Sequence, residues 1–190
     1  MSAQRYTRTA MVLHWLVAVL VIANLSYTWF ISSLPDSAVR PAIDLHKSFG
    51  LTVLGLVLLR ILWRLSHRPP PLPDSMPALE RGGAHLAHAL LYVLILALPI
   101  TGWIHDSAFK FAAQHPLTLF WTIPWFRIAA IADLPPAQKE AVHAFWFSVH
   151  VWLSYVLIAL LALHLLGVIK HQVFDRNPVL GRMLPARRNS

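Results

Sequence analysis

Hydrophobic and polar positions along the chain alternate in blocks of whole segments rather than residue by residue. Four apolar runs, about Ala10 to Ile31, His46 to Leu65, Ala84 to Ile104 and His143 to Ile169, are separated by stretches that carry most of the charge. Each run is near the roughly 20 residues with which an α-helix crosses the hydrocarbon core of a bilayer. The pattern predicts an all-α integral membrane protein: one bundle of four transmembrane helices, a single membrane-embedded domain over residues 1–190. The first run follows Arg5 and Arg8 as the apolar part of a signal peptide would. It is longer than such a region and no small-residue cleavage site follows, so it is expected to stay as a span.

The connections differ in character. Ser32 to Leu45, punctuated by Pro35 and Pro41, is expected to form a tight outer turn. The connection SHRPPPLPDSMPALERGG, Ser66 to Gly83, has five prolines and predicts an extended polyproline-type segment rather than a helix. Residues 105–142 form the longest connection, and its Phe109, Phe111, Phe120, Trp121, Trp125 and Phe126 predict that it lies along the outer membrane surface, where aromatic rings favour the headgroup zone. Pro99 inside the third run predicts a kink. Gly102, one turn on, either relieves packing or lets a flat cofactor come close.

Composition agrees with the pattern. Hydrophobic residues make up 57% of the chain and charged residues 13%, about half the share usual for a soluble domain. The net charge of +8 sorts by location. With the N-terminus inside, eleven of the sixteen Lys and Arg residues fall on inner segments; Asp74, Glu80 and Asp175 are the inner acids, and the outer face sums to zero. This asymmetry predicts both termini in the cytoplasm and makes the basicity an orientation signal, with no need of nucleic acid. The chain has no cysteine. Disulfides, thiolate metal sites, iron–sulfur clusters and covalent haem attachment are thereby excluded, and a redox cofactor must be held by histidine.

The histidines supply the candidate chemistry. His150 and His164 are fourteen residues apart, which at about 100° per residue puts both on one face of the fourth span. At about 1.5 Å rise they stand about 21 Å apart along its axis, one near each leaflet. Through the up-and-down topology His14 falls level with His164 on the inner side, and His46 level with His150 on the outer side. Each pair suits the two axial positions of a haem b, whose iron is then saturated and passes electrons without binding oxygen. Zinc would demand a third or fourth protein ligand that the pairs do not supply. Arg60, fourteen residues from His46 and on the same face, either meets a haem propionate or snorkels to the inner surface. His88 is a competitor for His14, a quinone or propionate contact, or simply interfacial. His85 opens the third span beside it; His105, His115, His143 and His171 read as polar tips near the interfaces, and His143, on the face of His150, is also placed to relay protons. No side chain is expected to act as a catalytic acid, base or nucleophile.

In combination LHWL (Leu13 to Leu16), HKSFGLTVLGLVLLRILWRL (His46 to Leu65), AHLAHALLYVLILALPITGW (Ala84 to Trp103) and the stretch from His150 to Pro185 resemble the bacterial cytochrome b561 family, itself similar to the di-haem cytochrome b subunits of nickel–iron hydrogenases. The resemblance covers nearly the whole chain and is least secure in the outer aromatic loop. It implies a multi-pass protein of the bacterial inner membrane with two non-covalent haem b groups, ligated by His14 with His164 and by His46 with His150. It further implies electron transfer between an outer reactant and the quinone pool, best expressed as a superoxide:ubiquinone oxidoreductase. The alternative is a haem-bearing electron-transfer anchor for a hydrogenase-like or other periplasmic redox partner. A haem-free transporter or structural bundle fits poorly with so few intramembrane charges. Superoxide is an anion, and Arg40 and Lys47 beside His46 are expected either to form a local positive funnel for it or to anchor the interface.

Overall fold

The computed structural model describes residues 5–73, 76–177 and 179–185, so Asp74, Arg187 and Arg188, counted above on the inner face, lie outside the described residues. Four long helices carry the fold: α1 (Arg8–Thr28), α2 (Asp36–Ser66), α3 (Ala78–Ser107) and α5 (Pro136–Ile169), with a four-residue helix α4 (Ala129–Ala132) in the long connection. All four long helices have the length and hydropathy of membrane spans. The chain is a four-helix, multi-pass membrane protein.

The start of each span has a local cause. Thr7 caps α1, its Oγ1 accepting a hydrogen bond from the Ala10 amide at 3.3 Å. The other three begin directly after a proline in extended conformation, Pro35, Pro77 and Pro135, whose fixed φ sets the chain up for the first turn. Consequently α2 starts at Asp36 and α3 at Ala78, earlier than their apolar runs. The expected outer turn is therefore mostly helix, Pro41 lies inside α2, and ALERGG belongs to α3. Only 67–73 and 76–77 keep the non-helical character expected of the proline-rich connection among the described residues. The underlying reason is that polar residues in an interfacial first turn cost a helix nothing.

Helix α1 packs on α2, α2 on α3 and α3 on α5. All four meet in a core of Val17, Val21, Val53, Leu91, Leu94, Leu98 and Leu157 at mid-bundle. Outside this core the pattern of a soluble protein is inverted: Val19, Leu62, Val93 and Trp152 are each 60% exposed or more, a surface that requires lipid.

One end of the bundle carries both the first and the last of the described residues. There Trp15 Nε1 donates to the Met183 carbonyl at 2.8 Å, Tyr6 N to that of Arg182 at 3.2 Å, and Arg182 Nη2 to that of Pro71 at 2.6 Å. Lys170 Nζ bridges Glu80 and Asp175 at 3.0 and 2.9 Å, tying the end of α5 to the start of α3. His171, read from sequence as a polar tip, joins this network at 2.7 Å from Asp175.

The opposite, loop end is covered by residues 108–135. A short antiparallel hairpin pairs Thr118–Leu119 with Ile123–Pro124. Its tip places Phe120 and Trp121 at φ 49° and 60°, a left-handed conformation that costs bulky L-residues roughly 1–2 kcal/mol each. The Thr122 amide closes the turn on the Leu119 carbonyl at 3.1 Å, and the Phe120 amide donates to Ser48 Oγ of α2 at 2.9 Å. Phe111, Trp121, Ile123 and Phe126 are half or more exposed, as befits side chains at a headgroup layer.

Candidate haem-binding histidine sites

At the loop end His46 of α2 and His150 of α5 face each other, their ring centres 6.0 Å apart and their planes nearly perpendicular at 87°. Both rings are held from behind. His150 Nδ1 donates to the Leu98 carbonyl at 3.0 Å, with Thr101 Oγ1 at 3.1 Å sharing the proton. His46 Nδ1 donates to Asn24 Oδ1 of α1 at 3.0 Å, and Asn24 Nδ2 returns a bond to the His46 carbonyl at 3.3 Å. With Nδ1 carrying the proton, each neutral ring keeps its lone pair on Nε2, the tautomer a metal ligand needs.

The spacing fits such a ligand pair: nitrogens each about 2 Å from a shared metal put the ring centres on the order of 6 Å apart. Gly102 makes room for the arrangement. A Cβ there would stand 3.2 Å from His150 Cε1, so what comes close to this glycine is the ligand-type ring itself. Asn24 was not singled out from sequence, although an amide inside an apolar span is a signal of a role. Its replacement by leucine should loosen His46 and weaken cofactor retention at the loop end about 10- to 100-fold, in line with other outer partners of metal-binding histidines. Titration of the stripped variant with haemin would measure this.

His105 and His143 extend the cluster. His105 lies 6.1 Å from His150 and 4.9 Å from His143, ring centre to ring centre, and His143 Nδ1 donates to the His105 carbonyl at 2.9 Å. Sequence had set His105 aside as an interfacial tip. Beside it Asp106, buried, receives Lys47 at 2.8 Å and Arg127 at 3.1 Å, while Arg40 and Lys47 both approach Asp44, at 3.3 and 3.2 Å. Both cations, expected either to form a positive funnel or to anchor the interface, are thus paired with carboxylates, although Arg40 Nε is buried with no hydrogen-bond partner among the described residues.

At the termini-bearing end the structure gathers three histidines. His88 and His164 make an edge-to-face ring contact at 5.3 Å, and His14, whose ring packs on Trp15 at 5.3 Å, is within electrostatic reach of Arg60, His164 and His88. The His88–His164 contact is tighter than the spacing of the loop-end pair. Arg60 comes to this site as its position on α2 predicted: Nε donates to Tyr92 Oη at 2.7 Å, and Nη1 is buried with no hydrogen-bond partner among the described residues. An unmet buried guanidinium nitrogen costs free energy unless an anion satisfies it, and a haem propionate has that charge. The loop-end pair therefore fits haem b in donor set and spacing, and the termini-bearing end offers three histidines and an unmet guanidinium nitrogen suited to the same group.

Between the two sites lie the core residues named above, including Leu157, which is 2% exposed. The arrangement can hold two one-electron centres apart in a dry, apolar interior.

The chain matches the family model described as prokaryotic cytochrome b561 over residues 5–186. Among curated proteins it is 30% identical to cytochrome b561 homolog 2 of Escherichia coli (strain K12), covering 96% of this chain and 93% of the relative. It is 28% identical to the probable superoxide oxidase CybB of Yersinia pestis, over 97% and 98% of the two chains. With cytochrome b561 homolog 1 of Escherichia coli (strain K12) it shares 24% identity over 97% and 99%.

Proposed function

Because this chain belongs to the prokaryotic cytochrome b561 family, membrane proteins of haem-based electron transfer, we propose that it is a di-haem superoxide:ubiquinone oxidoreductase of the inner membrane. His46 and His150 hold one haem b at the loop end; His14 and His164 hold the other, with Arg60 on a propionate and His88 packed against His164. The observation that carries the reading is the His46–His150 pair, opposed at 6.0 Å with both Nδ1 protons already engaged. The similarity to a probable superoxide oxidase supports the choice of substrate.

Haem b, held by these histidines, would supply an iron centre that gains and loses one electron. The residues of this chain do the rest. Asn24, the Leu98 carbonyl and Thr101 fix the loop-end rings; the aromatic hairpin and the 108–117 segment cover them. The apolar core keeps water and protons out of the interior while leaving the two sites in line. Overall, two superoxide anions each give up one electron and leave as dioxygen, and one ubiquinone takes both electrons with two protons to become ubiquinol. The loop end is read as the outer, superoxide-facing side, in keeping with both termini in the cytoplasm.

A superoxide pulse delivered to the purified, haem-loaded protein should reduce its haems within the mixing time, and added ubiquinone should reoxidise them; stopped-flow absorbance reads both steps. Inertness to superoxide, joined to rapid reduction by a co-purifying dehydrogenase, would replace this reading with that of an electron-transfer anchor for a periplasmic partner.

A further inference from the structure

At the termini-bearing end a cavity of about 350 Å³ opens between the start of α1, the end of α2 and the proline-rich connection. Arg5, Arg60, Arg64 and Arg68 line it together with Trp63 and Tyr92, and no carboxylate is among its lining residues. Arg60 and Arg64 both stack over the Tyr92 ring, at 5.7 and 5.8 Å to its centre, which holds two like charges side by side. Trp63 Nε1 donates to Thr7 Oγ1 at 2.9 Å, fixing the first turn of α1, with its positive dipole end, against the same opening. Arg5, Arg64 and Arg68 are exposed at the mouth and have no ion pair among the described residues, whereas Arg60 is half-buried at the back. With Arg60 turned to a haem propionate, the three guanidinium groups at the mouth still repel one another unless a second anion enters, and their planar forks match the oxygens of a phosphate.

We propose that this cavity is a binding site for a phosphate oxyanion, taken at its mouth by Arg5, Arg64 and Arg68 and distinct from the haem contact of Arg60. Two sources share that chemistry: the headgroup of an acidic phospholipid of the adjoining leaflet, and a soluble phosphate compound. The position of the cavity at the ends of two membrane-spanning helices suits the former, since basic pockets at the ends of spans collect anionic lipid.

The test uses the full haem-loaded chain in mixed micelles holding equal amounts of phosphatidylglycerol and phosphatidylcholine, with lipid retention read by native mass spectrometry. Phosphatidylglycerol should be retained preferentially, and Arg64→Gln and Arg68→Gln should each lower that retention about fivefold. Arg68 lies beyond the end of α2 on an exposed stretch, so Arg68→Gln removes charge without touching the packing, and an unchanged haem spectrum certifies its fold. Inorganic phosphate is the second probe. If excess phosphate displaces the lipid, and its ³¹P resonance broadens with wild-type protein but not with Arg68→Gln, the site serves a soluble phosphate. If the lipid stays, it serves the headgroup. Equal retention of both lipids with no broadening by phosphate, or undiminished retention in the variants, overturns the proposal. A colourless protein that still selects phosphatidylglycerol would count against the haem reading alone.

Discussion

If the chain holds two haems as proposed, replacing His150 with alanine should remove one of them and leave the other. The pyridine haemochrome content should fall by half, and the remaining haem should keep a low-spin spectrum. The side chain deleted has no substitute on α5 at that depth: its Nδ1 is committed to the Leu98 carbonyl and its ring fills the space over Gly102. His105, 6.1 Å away, is tied through its own carbonyl to His143. The complementary His164→Ala change should spare the loop-end haem. There the outcome distinguishes among three histidines, because His88 already touches His164. His14→Ala should lose the second haem, whereas His88→Ala should retain it; the reverse result would transfer the ligand role to His88. Loss of both haems in every single variant would mean that haem insertion and bundle assembly are one event.

A second large effect is expected at Asp106, a residue that takes no part in ligation. Its carboxylate receives both Lys47 and Arg127, and the same Arg127 donates to the carbonyls of Asp106, Ala112 and His115. One buried charge thus joins α2, α3 and the loop that covers the loop-end site. Removing it in Asp106→Ala leaves two cations, 14% and 13% exposed, without their shared partner, a change that typically costs about 3–5 kcal/mol. The value should lie near the lower end, since Lys47 keeps Asp44 at 3.2 Å. Asp106→Asn, which retains an acceptor, should fall between wild type and alanine. Thermal unfolding in detergent would measure the loss, and limited proteolysis should find new cleavage between residues 108 and 127. Full stability of both variants would show that the loop is held chiefly by its aromatic contacts.

The features that sequence made legible are those set by a single period. The fourteen-residue spacing of His150 and His164, and of His46 and Arg60, could be turned into face and depth because the helices run unbroken through those intervals. The same arithmetic located Arg60 beside the histidines of the termini-bearing end, with its buried unmet nitrogen. What escaped was anything decided by contacts between segments. Asn24 finds its role only when α1 and α2 are packed, and the Leu98 carbonyl only when α5 lies across α3 beside Pro99. Arg40 and Lys47 read from sequence as a positive funnel or as interface anchors, and their pairing with Asp44 and Asp106 depends on packing between segments that no period reveals. Depth alone places His88 and His14 at one end; the structure adds the ring contact of His88 with His164, and the alanine variants decide which of the two is the ligand. Helix starts were misjudged where polar residues follow Pro35 and Pro77, because hydropathy marks the hydrocarbon layer and a helix extends past it.

The dry core between the two sites has an electrical consequence. Side chains such as Leu157 and Val57, 2% and 1% exposed, form an insulating layer, and the sites on either side are separated by about 21 Å along α5, roughly two-thirds of a 30 Å hydrocarbon core. Charge moved from one to the other therefore crosses most of the membrane field, worth on the order of 1.5 kcal/mol for each 100 mV. The distribution of an electron between the two ends becomes a function of transmembrane voltage, so that an energised membrane and a collapsed one set different working points for the same protein.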